Sequence, residues 1–286
     1  MNELKIPEGG VDLKRRFRDD KDLVEVKSRI WFRNGRAWIF EVPSSEIEFS
    51  SNLLTCLILQ HYIPNQDLLM LHGSSTTILQ EGRACAEPYQ GLSPPRPKVP
   101  NHFSGNGHGA PYPTMVIEAA KSQSLAVLHR KCLDYFLDRA VAGVVTVEST
   151  IRVAIKIYPR DNANFAIVIL YYRNGAPANP VRIISCGTTH LDSVNAVPHV
   201  NAISPPGYSC EGVMSPLDPP PFVPVNPANP LNLQNPCNKL GIPLYQLQIP
   251  TAELFNGAVI PLDVVLPSIC TVDLHSIQQT ANNKLY

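Results

Sequence analysis

Glu118 closes a short apolar run, Thr114-Met115-Val116-Ile117, and Lys121 stands three residues beyond it. A further segment then carries Lys131 and Tyr135, four residues apart. A carboxylate delivered by a buried strand, with an ammonium group close behind, is a layout that can hold a divalent metal against a phosphodiester. The carboxylate coordinates the ion, the ion polarises the phosphate and acidifies a bound water, and the lysine orients that water or stabilises the charge that develops. A protein that has lost such chemistry can keep the same layout. Glu118 then becomes a strand-end carboxylate paired with Lys156 or Arg152, and Lys121 and Lys131 become ordinary helix-surface charges.

The elements that would position these groups are legible around them. Arg29–Phe32 and Ala37–Val42 flank Asn34-Gly35, a hairpin signal, with Trp31 and Trp38 as cross-strand or same-face packing residues. Pro43-Ser44-Ser45-Glu46 opens a helix that runs to about Gln60, with Ile47, Leu54, Leu57 and Ile58 on its buried side. Strands are predicted at 67–71, 75–79 and 114–118, then a helix from Ser122 to Arg139 capped by Ser122 or Ser124. Further strands are predicted at 144–147, 151–158, 166–172 and 181–186, where Val, Ile and Tyr cluster. Prolines and glycines make 88–113 a long loop. Leu244–Ile249 reads as a strand, Pro250-Thr251-Ala252-Glu253 as a helix start, and Cys270–Ile277 as a last strand or short helix.

Composition narrows the classes. Formal net charge is zero over 286 residues, which argues against nucleic-acid binding by bulk charge but leaves room for a local basic groove. Residues 1–48 hold 10 basic and 10 acidic side chains. We read 1–27 as a mobile charged arm, 28–203 as the main domain, 204–236 (with 10 prolines) as a proline-rich linker, and 237–286 as a segment that packs back on the main domain. Lys14-Arg15-Arg16-Phe17-Arg18 is a short basic run, balanced by Asp19, Asp20 and Asp22. The 7 cysteines are odd in number and form no Cys-x-x-Cys pair, which fits reduced thiols inside a cell and gives no zinc-ligand spacing. No signal core opens the chain, and the longest apolar run, near Leu53–Leu59, is far short of the roughly 20 residues a membrane span needs. The expected setting is intracellular, cytoplasmic or nuclear, with no membrane partner. His72, His102, His108 and His129 lack partner spacing. Ser74-Ser75 makes no nucleophile elbow, and Gly105–Gly109 lacks the context of a phosphate loop.

The order helix 45–60, strands 67–71, 75–79 and 114–118, helix 122–139 and strand 144–147 or 151–158 is α-β-β-β-α-β. It resembles the core of the restriction-endonuclease-like, PD-(D/E)XK fold. Pro113-Thr-Met-Val-Ile-Glu118-Ala-Ala-Lys-Ser122 and Leu128-His-Arg-Lys131-Cys-Leu-Asp-Tyr135 resemble the Glu strand and the Lys-x-x-x-Tyr helix of the Uma-type endonucleases. Segments 151–159 and 166–173 look like later strands of that family's eukaryotic, largely fungal, relatives. The resemblance covers about residues 45–190. It implies a mixed α/β sheet and a nuclease using Mg²⁺ or Mn²⁺, with Glu118 as metal ligand and Lys121 or Lys131 as charge stabiliser. It also implies a second acid. Tyr89 stands where the family has its first Asp, so Glu87 or Glu81 is the substitute, with Asp67 a more distant option and Glu46 or Glu48 of the upstream helix a further metal contact. The motif's lysine falls two residues after its acid, on the same strand face, whereas Lys121 is three on. The resemblance therefore leaves two functions open. One is a metal-dependent nuclease acting on DNA or RNA. The other is an inactive relative that binds partners through loop 88–113 or, for a protein partner, through 204–236.

Overall fold

The computed structural model describes residues 3–4, 29–33, 36–40, 44–63, 66–73, 77–79, 84–98, 109–135, 150–161, 164–173, 179–205, 210–212, 237–256 and 258–282. The strands in chain order are β1 (Glu3–Leu4), β2 (Arg29–Arg33), β3 (Arg36–Phe40), β4 (Met70–Leu71), β5 (Thr77–Leu79), β6 (Ala84–Ala86), β7 (Gln90–Ser93), β8 (Met115–Ala120), β9 (Ile151–Pro159), β10 (Phe165–Arg173), β11 (Arg182–Ser185), β12 (Glu211–Gly212), β13 (Gln246–Pro250) and β14 (Ile269–Asp273). The helices are α1 (Ser45–Gln60), α2 (Leu125–Asp134), α3 (Val197–Asn201), α4 (Thr251–Leu254) and α5 (Leu274–Asn282).

A seven-stranded mixed sheet in the order β12-β11-β10-β9-β8-β7-β4 organises the protein. β7 runs antiparallel to both β4 and β8. β8 then crosses through α2 to β9, which lies parallel to it with Glu118 opposite Ala154. The path α1-β4-β7-β8-α2-β9 is thus the expected α-β-β-β-α-β core, and the protein has a restriction-endonuclease-like α/β fold. The membership of that core differs from the sequence reading. Its middle strand is β7, inside the stretch expected to be loop, because Gln90-Gly91-Leu92-Ser93 pairs along Met115–Ile117 despite the prolines on either side. β5, expected in the core, belongs to a second sheet of order β1-β3-β2-β6-β5. In that sheet Trp31 and Trp38 stand opposite each other in the hairpin register. The expected strand 144–147, and the helix beyond Tyr135, lie outside the described residues, as do most of 1–27 and most of 204–236.

Strand alternation splits the interior in two. Met115, Ile117 and Ala119, with Ile151, Val153, Ile155 and Ile157 of β9, face a core built with Ile47, Leu54 and Ile58 of α1. The segment 237–282 completes that core with Leu247, Ile249, Val272, Leu274 and Ile277; β14 and α5 lie against α1, and β13 pairs with β14. On the opposite face Ala120, Ala154, Val168 and Leu170 pack under Leu125, Leu128 and Cys132 of α2. Cys270–Ile277 is both of the expected alternatives in succession, the strand β14 turning directly into α5. Among the described residues, no helix is long and apolar enough to cross a membrane.

Ser124 starts α2 by accepting a hydrogen bond from the Val127 amide at 3.3 Å. Because this satisfies one of the donors orphaned at a helix N-terminus, Ser124→Ala should lower stability by about 1 kcal/mol. The readout is a lower urea midpoint at an unchanged slope. An unchanged midpoint would show that the cap contributes nothing.

Candidate functional site

Glu118 sits on the face of β8 that carries Ala120, because side chains two apart on a strand share a face. On the neighbouring β9 the same face presents Arg152, Ala154 and Lys156. α2 lies over this face and offers Lys131 and Tyr135, which the four-residue spacing sets one above the other. The three converge. Lys131 Nζ lies 2.8 Å from Glu118 Oε2, and the Tyr135 hydroxyl donates to Glu118 Oε1 at 2.6 Å. Lys131 also donates to the Glu87 carbonyl at 3.2 Å, and Arg152 Nη2 to the Tyr135 carbonyl at 2.7 Å. Glu118 and Tyr135 are 1% exposed, Lys131 2% and Arg152 0%, so the cluster is closed to solvent.

The other expected site residues go elsewhere. β8 ends at Ala120, and Lys121 turns away to pair with Glu46 of α1 at 2.9 Å. Burial pushes the Glu46 carboxyl up, but the Ser44 side chain, the Lys121 hydrogen bond, a backbone amide and the Lys121 charge together outweigh it and hold it below the usual range. The same-face position two residues past Glu118 is the buried Ala120. Lys156 stands beside it in the parallel register and donates to the Lys121 carbonyl. Glu87 approaches the cluster through its backbone carbonyl. The β7–β8 register, extended by one pair, sets Tyr89 across from Glu118, and the Tyr89 amide donates to the Ile117 carbonyl at 3.0 Å. A tyrosine thus stands across the ladder from Glu118. The partner of Glu118 is Lys131, not the Lys156 or Arg152 of the structural alternative.

These residues do not fit Mg²⁺ or Mn²⁺. Such an ion takes several oxygen ligands, usually including two carboxylates in this chemistry. Glu118 instead spends each oxygen on a proton donor. Among the described residues, no group of three or more His, Cys, Asp and Glu side chains could hold a metal ion. The arrangement resembles a buried ion pair completed by hydrogen bonds, which fixes α2 on the sheet. Cys132, one residue from Lys131, is inert in the same setting, because burial, then the Glu118 charge, pushes its thiol well above the usual range. Nearby, His129 Nδ1 lies 2.7 Å from the Tyr172 hydroxyl with the rings stacked, and burial and Arg130 lower its tendency to protonate.

The seven-stranded mixed sheet and its helices define a mixed α/β protein. Neither a protein-family model nor a curated protein matches the chain. A solved structure similar to it is that of a candidate nuclease belonging to DUF820 from Anabaena variabilis. That likeness covers 55% of this chain and 75% of the other, at 13% identity and a TM-score of 0.35.

Proposed function

We propose that this chain is a non-cleaving relative of the Uma-type nucleases, whose former catalytic position has become a structural ion pair and which works as a binding module. The observation that carries this reading is Glu118, 1% exposed and engaged through both oxygens by Lys131 and Tyr135. A nuclease must bring its metal-binding carboxylate to a bulky phosphodiester, and here α2 covers the carboxylate. Ala120 in place of the motif's lysine and Tyr89 in place of its first acid point the same way. Binding then falls to surfaces away from Glu118, first among them the proline-punctuated segment 88–113.

The test is hydrolysis. The purified chain is incubated with plasmid, single-stranded DNA and RNA in Mg²⁺ or Mn²⁺, beside Glu118→Ala and a chelator control. The expected result is no cleavage above buffer by either protein. Metal-dependent cleavage by the natural chain that disappears in Glu118→Ala would overturn the proposal and restore the nuclease reading, with Lys131 as charge stabiliser.

A further inference from the structure

The chain leaves β7 through Pro94-Pro95-Arg96-Pro97-Lys98. A proline locks its own φ at about −65° and pushes the residue before it into extended backbone. The first effect acts on Pro94, Pro95 and Pro97, and the second on Pro94 and Arg96. The residue types alone therefore set this segment as a polyproline II helix. The observed backbone agrees. Residues 94–98 form no helix, strand or turn, and among the described residues no backbone–backbone hydrogen bond involves them.

A polyproline II helix has about three residues per turn, so it presents three ridges. Arg96 lies on the inward ridge, because its Nε, Nη1 and Nη2 are all closed to solvent. The other two ridges look outward, one carrying Pro94 and Pro97, the other Pro95 and Lys98. Pro95, Pro97 and Lys98 are exposed, while Pro94 is buried where the chain leaves the sheet.

Two outward ridges are what an aromatic-lined groove takes, with its rings packed between the prolines. The segment arrives in its bound shape, so docking loses little conformational entropy. Charge selects among such grooves. Residues 88–117 contain Arg96 and Lys98 and not one Asp or Glu, and Lys98 stands exposed at the end of its ridge. Carboxylates on the rim of the groove complement that ammonium, and a basic rim repels it.

We propose that segment 94–98 is a docking ligand for a protein domain with an aromatic groove and an acidic rim. The proposal rests on the binding-module reading and names the partner chemistry of that module. The two fail separately: metal-dependent cleavage counts against the module, and a chain that takes no groove domain counts against this ligand.

The experiment titrates the full chain against labelled, purified proline-recognition domains of the SH3, WW and EVH1 types, followed by fluorescence anisotropy. Saturable binding is expected from domains with acidic rims, and none from those with basic rims. Added salt should weaken it by screening Lys98. Lys98→Glu should weaken it at least about tenfold, because like charges then meet at the rim. Pro97→Ala should weaken it at least about fivefold, through lost packing and lost preorganisation. Binding by none of the domains would overturn the proposal. So would binding that either variant leaves unchanged, which would move the contact to the prolines of 204–236. Should Pro97→Ala not fold, Lys98→Glu decides alone, since its side chain is exposed.

Discussion

Lys131→Met lowers the unfolding free energy by about 3–5 kcal/mol, the loss expected when one partner of a buried ion pair is removed and the other charge stays in the interior. Glu118 and Lys131 are 1% and 2% exposed, so neither charge can recover its hydration by a small movement. Lys131→Met also takes a donor from the Glu87 carbonyl, which it reaches at 3.2 Å. Tyr135→Phe removes a single hydrogen bond to a charged oxygen and should lose less, about 1.5–3 kcal/mol. The double variant Glu118→Gln with Lys131→Met removes both charges and leaves Tyr135 an acceptor. It should recover about 2 kcal/mol relative to the sum of the single variants. Urea unfolding of the natural chain, Lys131→Met, Tyr135→Phe, Glu118→Gln and the double variant measures all of these terms. The series also separates the two functions. Residues held in place for catalysis are commonly neutral or stabilising to remove, because active sites trade stability for activity. A loss below about 1 kcal/mol on Lys131→Met would place the pair with ordinary surface pairs and sink the structural assignment.

Gly187→Ala is the second large effect, for a different reason. A Cβ at this position would fall 2.3 Å from the Phe165 carbonyl oxygen, 2.5 Å from Ala166 Cα and 2.8 Å from the Ile167 amide nitrogen. All three are backbone atoms of β10, which cannot step aside without pulling on β9 and β11. The close approach is held by hydrogen bonds on either side, from the Cys186 amide to Ile167 and from the Thr188 amide to Phe165, at 3.0 and 2.8 Å. The added methyl must break these or bend the central sheet, at about 3 kcal/mol. For a chain of this size that lowers Tm by roughly 6–12 °C. Gly241 is the control. Its φ of +82° is left-handed but nothing lies within 4 Å of its Cβ, so Gly241→Ala should lose only about 1–2 kcal/mol of backbone preference. Equal Tm shifts in the two variants would show that crowding at Gly187 is relieved by movement, against this prediction.

Local chemistry along the chain settled a good part of the architecture. The apolar spacing of Ile47, Leu54 and Ile58 defines α1 from its own residues, and its bounds are as read, although Leu57, expected on the same face, is half-buried and the Ser44 side chain makes no cap hydrogen bond. The runs Ile151–Pro159 and Phe165–Arg173 declare buried strands by Val, Ile and Tyr content alone. The relation of Glu118 to the helix carrying Lys131 and Tyr135 was legible as an order of elements, since a strand followed by a helix and a parallel strand has few ways to fold.

Strand partners were not legible, because pairing is a long-range choice. Gln90-Gly91-Leu92-Ser93 is too short and too flanked by proline to announce itself, and it becomes β7 through its ladder with β8. Thr77–Leu79 has better strand composition, yet its partner is Ala84–Ala86 in the second sheet. The site divides along the same line. Sequence alone supplied Glu118, Lys121, Lys131 and Tyr135, and it supplied the absence of an acid at Tyr89. Only the tertiary structure decided which ammonium Glu118 takes. Ending β8 at Ala120 swings Lys121 toward Glu46, while the packing of α2 lays Lys131 and Tyr135 on the carboxylate. Burial then gives that contact its meaning. The same three side chains in water could have served a metal, and under α2 they hold the helix to the sheet.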